Sequence, residues 1–352
     1  MVALIPGPAS ASAAREVPNG FFGVVADGPL IDGLVPAAPE FQRMQASGVE
    51  TIRVVFDWAS AQPGAGGPID LSATDRFVAD AAARHIRALP VVMHAPGWAV
   101  SGAPQYGSPP RDVAAYAAYC AALVRRYGPA GTFWAQHPST PRLVIRAWQI
   151  WNEPNLPVYW TTQPFATGYV RLLKAARKAI KAVDRGSTIV TAGLTNGARY
   201  TAWEALRRIY AAGGRGAFDA VALHPYTAKV SGVLRTVRLA RDVMRRNGGT
   251  VPVWLTEVAW SSSAGNTSDR FATWDTTERG QARMAATALR TLAAQRRALR
   301  IRQVDWYTWI SPQASHAPWF SYAGLSRVAN GRVVRKPALA AYAGVARRLE
   351  GP

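Results

Sequence analysis

The chain has 352 residues, of which 49% are hydrophobic, so a single domain with a large core can form. No stretch reaches the roughly 18 consecutive apolar residues of a membrane-spanning helix, and the single cysteine, Cys120, excludes an intramolecular disulfide.

The 41 basic and 21 acidic residues give a net charge of +20. The arginines are scattered through helical segments without interleaved aromatic residues, so we expect no nucleic-acid partner. This charge indicates either solvated outer helices or a surface that attracts an anionic polymer.

The N-terminal segment has the composition of a processed leader. Apolar residues at 2–5 are followed by Pro6-Gly7-Pro8 and by alanines and serines over 9–14. Such a run resembles the end of an export signal or a linker after one, although the usual positively charged start is missing. We therefore predict a tail over 1–19 that is a remnant of an export signal, a single domain over 20–350, and a secreted or cell-envelope location.

Short apolar runs alternate with longer amphipathic segments along the rest of the chain. Runs of this length suit strands that are buried on both faces of a parallel sheet. Eight strands alternating with helices predict an α/β protein with a (β/α)8 TIM barrel in one domain. An open, doubly wound sheet is the alternative, and the lack of a glycine-rich dinucleotide motif after the first run disfavours it. The predicted strands are 21–26, 51–56, 88–93, 146–151, 187–192, 218–223, 251–256 and 304–309.

Polar and aromatic residues follow these strands at their C-terminal ends, where the active sites of such barrels lie. We expect them to gather at one rim. They are Asp27, Arg53, Asp57, Trp58, His94, Trp98, Asn152, Glu153, Asn155, Asn196, His224, Tyr226, Glu257, Trp260 and Trp309.

Two glutamates stand out in this set. Glu153 and Glu257 are 104 positions apart, which corresponds to three βα units of about 35 residues and places them on strands four and seven. Hydrolysis of a glycosidic bond needs such a pair, since one carboxyl protonates the leaving oxygen while the other attacks the anomeric carbon or activates water. An ion pair at a barrel end is the alternative for either glutamate alone.

Trp151-Asn152-Glu153-Pro154-Asn155 and Thr256-Glu257 resemble the signature of the clan A glycoside hydrolases, the retaining "4/7" barrels. The segments 53–58, 89–98 and 223–226 extend this resemblance over nearly the whole barrel. Within the clan, the chain is most similar to family 39 and its single-barrel bacterial relatives, and next to family 5. The resemblance implies a retaining O-glycoside hydrolase that cleaves β-glycosidic bonds of an oligo- or polysaccharide by double displacement. Glu153 is then the general acid/base and Glu257 the nucleophile.

The resemblance also assigns polar groups to substrate binding. It implies that Asn152 binds the sugar 2-hydroxyl, that Tyr226 donates to Glu257, and that Arg53 keeps this carboxylate ionised. A buried structural ion pair is the alternative for Arg53. His94 and His224 are expected to line the −1 subsite, and the alternative for each is an ordinary core histidine.

Tryptophans near the strand ends are expected to stack on sugar rings. The resemblance places Trp309 under the ring at the cleaved bond, with Trp306 as the less favoured candidate. Trp160 and Trp260 flank strand ends and are expected to contact substrate as well. The loops over 102–111 and 261–275 are expected to determine which sugar is bound.

Other chemistries lack their motifs. The histidines show no metal-ligand spacing, and the chain has neither a serine-hydrolase elbow nor a phosphate-binding loop, so we expect no metal and no cofactor. Family 39 xylosidases carry an additional β-sandwich domain for which no sequence remains, and this favours endo action. The expected partner is a carbohydrate, with an acidic or cell-envelope glycan as one candidate, bound by a monomer. A non-catalytic carbohydrate-binding barrel and a transglycosylase remain alternatives, because both use the same site.

Overall fold

The computed structural model describes residues 14–267, 271–313 and 316–351. Its main sheet is parallel, and we number its strands one to eight in chain order. Strand five consists of two short segments at one position of the sheet. The strands are Phe22–Val25, Thr51–Asp57, Arg87–Met93, Ala147–Ile150, Thr188–Val190 with Leu194–Thr195, Val221–His224, Val253–Val258 and Ile301–Trp306.

The sheet closes on itself. Strand one pairs with strands two and eight, and the ladder continues in both directions to strand five. There, Thr188–Val190 pairs with strand four, while Leu194–Thr195 pairs with strand six. Val190 also bridges Ala220, directly before strand six, which links the two sides. The predicted (β/α)8 TIM barrel in the α/β class is therefore confirmed, and the open sheet is excluded.

A helix follows each strand and covers the barrel. The helix after strand four shows why these segments form the outer layer, since its apolar side chains face the barrel while its lysines and arginines face solvent. No helix in the described part of the chain is long and apolar enough to cross a membrane. The covering helices are Ala37–Ala46, Ser72–Ala83, Val113–Tyr127, Ala166–Val183, Ala202–Ala211, Val230–Arg246, Glu278–Leu299 and Pro337–Glu350. Smaller elements are the helices Trp58–Ala61 and Thr132–Gln136, and a three-stranded sheet of Ile310–Ser311, Ser326–Ala329 and Arg332–Arg335.

Packing at the N-terminus begins before the expected boundary at residue 20. Val17 is buried in the main core, the Glu16 amide donates to the Leu349 carbonyl, and Arg15 forms an ion pair with Glu50 at 2.6 Å. Residues 15–17 are thus part of the packed unit. Residues 1–13 of the predicted tail over 1–19 lie outside the described residues.

Strand eight lies three positions before its predicted range of 304–309. The preceding helix ends at Leu299, its cap residue Arg300 adopts a left-handed backbone (φ 54°), and the strand starts directly at Ile301. The aromatic residues on which the later range was based lie partly at the end of the strand and partly in the loop that follows it. This difference decides which aromatic side chain reaches the active-site end.

Candidate active site

The C-terminal ends of the strands surround a cavity of about 430 Å³. Glu153, Glu257 and Asn152 line it, together with Arg53 and Tyr226. Two further polar residues that follow predicted strands also reach it, and these are Asp27 and Asn196. Seven of the fifteen residues that were expected to gather at the rim therefore line one cavity, and the other eight are not part of its lining.

The two glutamates converge in this cavity. One carboxylate oxygen of Glu153, one of Glu257 and a ring nitrogen of His224 all lie within 4.8 Å of one another. Both carboxyl groups are largely buried, with 7% and 8% of the respective residues exposed. Two carboxyl groups this close can act on neighbouring atoms of one bound molecule, one by proton transfer and the other by direct attack.

Strand four presents Glu153 through an unusual backbone. Trp151 and Glu153 both adopt positive φ angles, 69° and 38°, which non-glycine residues rarely take. The Trp151 amide donates to the Val92 carbonyl and its indole donates to the Tyr159 carbonyl, while the Glu153 amide donates to the Gly193 carbonyl. These bonds to neighbouring segments hold the chain in the turn that directs Glu153 into the cavity.

Arg53 connects three strands beneath the cavity. This side chain is buried, and each of its three nitrogens donates a hydrogen bond: Nε to Gln149 at 2.8 Å, Nη1 to Glu257 at 2.7 Å and Nη2 to Asn152 at 2.7 Å. A planar guanidinium suits such a forked arrangement, which a lysine cannot reproduce. Arg53 therefore orients the Asn152 amide and neutralises Glu257 at the same time.

Glu257 accepts a hydrogen bond on each carboxylate oxygen. Besides Arg53 on Oε1, the Tyr226 hydroxyl donates to Oε2 at 2.5 Å. Burial raises the pKa of Glu257 above its usual value, and the Arg53 charge and the Tyr226 bond limit this rise. Burial and the neighbouring Glu257 charge also raise the pKa of Tyr226 well above its usual value, so its hydroxyl keeps the proton that it donates.

His224 positions Glu153 from strand six. Nδ1 lies 2.7 Å from Glu153 Oε1, and Nε2 lies 3.0 Å from the Thr256 hydroxyl. Complete burial and the positive charge of Arg53 lower the pKa of His224 well below its usual value. A neutral ring that donates from Nδ1 to Glu153 accepts at Nε2 from Thr256. A Cβ on Gly193 would lie only 1.9 Å from His224 Nε2, so the ring position requires glycine there.

The oxygens of both glutamates and the His224 ring nitrogen are close enough together to ligate one metal ion. However, Glu257 already accepts hydrogen bonds on both oxygens from a cationic and a neutral donor. A cation bound there would have to displace the Tyr226 hydroxyl or lie close to the Arg53 charge. The two hydrogen-bond donors to Glu257 therefore favour a catalytic role of the carboxyl groups over metal binding.

Aromatic side chains form the walls of the cavity, and the sequence prediction missed all of them except Tyr226. Tyr106 lies in one of the loops expected to select the sugar, and Phe271 and Trp274 lie in the other. Tyr307 follows strand eight directly, at the place where Trp309 was expected, and its hydroxyl donates to Asp27 at 2.6 Å. The aromatic residues that line the cavity are Tyr106, Tyr159, Tyr226, Phe271, Trp274, Tyr307 and Phe320.

The three predicted sugar-stacking tryptophans lie elsewhere, so their expected contact with the cavity is wrong. Trp309 is fully buried, and its indole donates to Glu40 at 2.8 Å on the outer side of the barrel. Trp260 is buried and donates to the Ala228 carbonyl. Trp160 packs edge-on against Trp151 in the core. In each case the side chain near a strand end turns into the protein instead of towards the cavity.

Three other predicted candidates also lie away from the cavity surface. His224 is fully buried and is not part of the cavity lining, so the expectation that it lines the −1 subsite is wrong, and it contacts Glu153 from behind instead. Trp306, the alternative to Trp309, is fully buried and donates to the Ala323 carbonyl. His94 lies behind Tyr106, with the two ring centres 4.4 Å apart, and its Nδ1 is 2.5 Å from Asp57. The expectation that His94 lines the −1 subsite is therefore wrong for this structure, in which His94 supports an aromatic wall.

Comparison with known proteins points to one enzyme class. A family model for the glycosyl hydrolase catalytic core matches residues 142–322, just over half of the chain. No curated protein sequence matches the chain.

Solved structures share the barrel. A family 39 glycoside hydrolase from the gut symbiont Bacteroides cellulosilyticus WH2 has a TM-score of 0.68 at 20% identity, over 95% of this chain and 64% of its own. The β-glycosidase BGL167 has a TM-score of 0.66 at 14% identity, over 95% and 98%. An endo-β-1,4-glucanase from Xanthomonas axonopodis pv. citri has a TM-score of 0.60 at 16% identity, over 93% and 99%. The chain thus spans just under two thirds of the family 39 enzyme, and at these identities the likeness shows the fold.

Proposed function

Because this chain belongs to the glycosyl hydrolase catalytic core family, we propose that it hydrolyses β-glycosidic bonds of an oligo- or polysaccharide with retention of anomeric configuration. The predicted resemblance to the clan A glycoside hydrolases is confirmed by the family model and the shared barrel. Glu257 is proposed as the nucleophile and Glu153 as the general acid/base.

The spacing of the two carboxyl groups carries this proposal. Retaining glycosidases hold their carboxyl groups about 5–5.5 Å apart, whereas inverting enzymes need about 6.5–9.5 Å to admit a water molecule. The oxygens of Glu153 and Glu257 approach within 4.8 Å. This spacing supports direct attack by a carboxylate over attack by an interposed water.

In the first step, a Glu257 oxygen forms a bond to the anomeric carbon while the bond from that carbon to the leaving oxygen breaks. Glu153 transfers its proton to the leaving oxygen, which departs as an alcohol. Arg53 and Tyr226 hold Glu257 in place. Because Asn152 directs its amide oxygen to Arg53, its amide nitrogen is left as the donor to a sugar hydroxyl.

In the second step, Glu153 accepts a proton from water, whose oxygen bonds to the anomeric carbon as the ester bond to Glu257 breaks. Both carboxyl groups return to their starting states. The neutral His224 donates to Glu153, and this bond keeps the carboxyl aimed at the cavity in both steps.

The cavity lining suits a neutral sugar. Its charged residues are Asp27, Arg53, Glu153 and Glu257, and Arg53 already uses all three nitrogens within the protein. In the described part of the cavity, no other cation is available to pair with a uronic acid or a sulfate. A carboxylated sugar at the cleaved bond would instead meet two carboxyl groups, which favours a neutral ring.

Aromatic side chains on two sides of the carboxyl pair support endo action. Tyr106 lies in the loop after strand three, and Trp274 lies in the loop after strand seven, on the opposite side of an eight-stranded barrel. Aromatic faces on both sides can hold sugar rings on both sides of the cleaved bond. An enzyme with such sites cuts within a chain and releases oligosaccharides, which product sizes from purified neutral polysaccharides will show.

Chemical rescue of both glutamates tests the catalytic assignment. On aryl β-glycosides, we expect Glu257→Ala to lose roughly 10⁴-fold or more in turnover, and added azide to restore part of it as an α-glycosyl azide. For Glu153→Ala, azide should give the β-glycosyl azide, because the glycosyl-enzyme still forms. Asp242→Ala, on an outer helix, is the control and should keep full activity.

Other outcomes would overturn the assignment. A fully active Glu257→Ala variant, or the same azide stereochemistry from both variants, contradicts the two roles. If the wild-type protein binds glycans but cleaves no glycoside, it is a binding barrel instead. If products grow in size when sugar acceptors are added and no free sugar appears, it is a transglycosylase.

A further inference from the structure

A second recess lies at the end of the barrel opposite the active site. It has a volume of about 560 Å³, and cationic side chains dominate its walls. We call it the basic groove. Its cationic residues are Lys174, Arg177, Lys178, Lys181, Arg185 and Arg215.

The helix after strand four supplies one wall of the basic groove as a row of charges. Lys174, Lys178 and Lys181 are spaced by four and three residues, so they share one face of the helix. At 1.5 Å per residue, the three lysines span about 10 Å along the helix. Arg185 follows the helix end at Val183 and continues the row. Arg215, before strand six, stands on the other wall. The arrangement is an extended track of charge.

Most of this charge is not neutralised within the protein. Asp219 pairs with Arg177 at 2.8 Å and with Lys181 at 3.0 Å. Lys174, Lys178, Arg185 and Arg215 are exposed, and none of the ion pairs among the described residues involves them. The basic groove therefore presents four solvated cations beside Arg177 and Lys181, which share the single negative charge of Asp219.

Further cations crowd the same end of the barrel. Burial lowers the pKa of Arg302 on strand eight, and the nearby charges of Arg87 and Arg15 lower it further, while the carboxylate of Glu50, which pairs with Arg15, opposes this shift. Arg87 begins strand three and Arg302 is the second residue of strand eight, so both lie at the N-terminal ends of strands. Like charges held together in this way favour binding of an anion at this end.

We propose that the basic groove binds a linear anionic polysaccharide outside the active site and holds the protein with its cavity facing away from that polymer. A track of spaced cations in a recess matches a chain with regularly spaced carboxylate or sulfate groups. Among the described residues that line the groove, none is aromatic, as stacking on nucleic-acid bases would require. None is a large apolar residue of the kind that inserts into a lipid surface.

Two charge-matched triple variants of the full chain test this proposal. Lys174→Gln/Lys178→Gln/Arg185→Gln removes three groove cations and keeps the pairs of Asp219. Arg207→Gln/Arg283→Gln/Arg290→Gln removes three exposed arginines from other helices and lowers net charge equally. Binding to polygalacturonate is measured at about 50 mM salt, and aryl glycoside hydrolysis is measured in parallel.

We expect the groove variant to bind polygalacturonate roughly tenfold more weakly or worse, and the control variant to change less than about threefold. Both should hydrolyse aryl glycosides at the wild-type rate, so the result does not depend on the proposed reaction. Equal loss in both variants, or no loss in the groove variant, overturns the proposal. So does tighter binding of the wild-type protein to duplex DNA or to phosphatidylglycerol vesicles at equal charge concentration and salt.

Discussion

Replacing Arg53 with methionine should shift the pH dependence of activity in a defined direction. Arg53 Nη1 lies 2.7 Å from Glu257 Oε1, and both side chains are largely buried, so solvent screens the pair weakly. With charge centres about 4 Å apart and an effective dielectric constant of about 20, the attraction is about 4 kcal/mol. This energy corresponds to about three pH units in the titration of the carboxyl group.

Arg53 stabilises the charged form of Glu257, so its removal raises the pKa of that carboxyl. The nucleophile must be ionised, and kcat/KM falls as pH drops below its pKa in the free enzyme. We therefore expect the acid limb of the kcat/KM profile on an aryl glycoside to move upward by about two to three pH units in Arg53→Met. Stopped assays from pH 4 to pH 9 measure this shift.

A control separates the charge effect from loosening of the barrel. Thr51→Val loses the buried hydrogen bond to Asp305 at 3.2 Å and removes none of the hydrogen bonds of Arg53 or Glu257. It should lower the melting temperature while its acid limb stays within about 0.5 pH unit of the wild-type position. An Arg53→Met enzyme whose acid limb also stays there would refute the electrostatic role of Arg53.

Three further substitutions test single contacts. Tyr226→Phe removes a hydrogen bond to the charged nucleophile and should lower kcat/KM roughly 10- to 100-fold. An unchanged kcat/KM in steady-state assays would argue against a role of this hydrogen bond in catalysis. Gly193→Ala forces the ring of His224 to move and should cost on the order of 100-fold in kcat/KM, whereas Gly344→Ala, where a Cβ meets open space, should stay fully active. Burial raises the pKa of Asp305 to about 7, so the stability it contributes is present at low pH and is lost as pH rises through 7. In Asp305→Asn, melting temperatures should decline less between pH 4 and pH 7, and a decline as steep as that of the wild-type protein contradicts the assignment.

The positions of the polar residues at the centre of the site could be predicted because these residues lie at strand ends. Glu153 and Glu257 each follow an apolar strand, and the barrel rule places the ends of strands four and seven around one opening. Arg53, Asn152 and Tyr226 are similarly rooted on strands or directly after them. Their side chains have little freedom once the barrel is closed.

The aromatic walls could not be predicted because closeness to a strand end does not determine the direction of a side chain. Trp260 and Trp309 are near strand ends, but their indole N–H groups donate to acceptors away from the cavity. Tyr106 and Trp274 line the cavity from loops whose paths depend on contacts distant in sequence. Because strand eight starts three residues earlier than predicted, Tyr307 lines the cavity at the place where Trp309 was expected.

The bond between Arg53 and Glu257 also bears on how the molecule is assembled. The two residues are 204 positions apart, on strands two and seven. A nascent chain contains Arg53 long before the carboxylate that compensates it, and a buried unpaired charge costs several kcal/mol. A barrel that ends before strand seven would therefore bury Arg53 without a compensating carboxylate, which destabilises it. The ion pair that positions the nucleophile thus also stabilises the complete barrel over a truncated one.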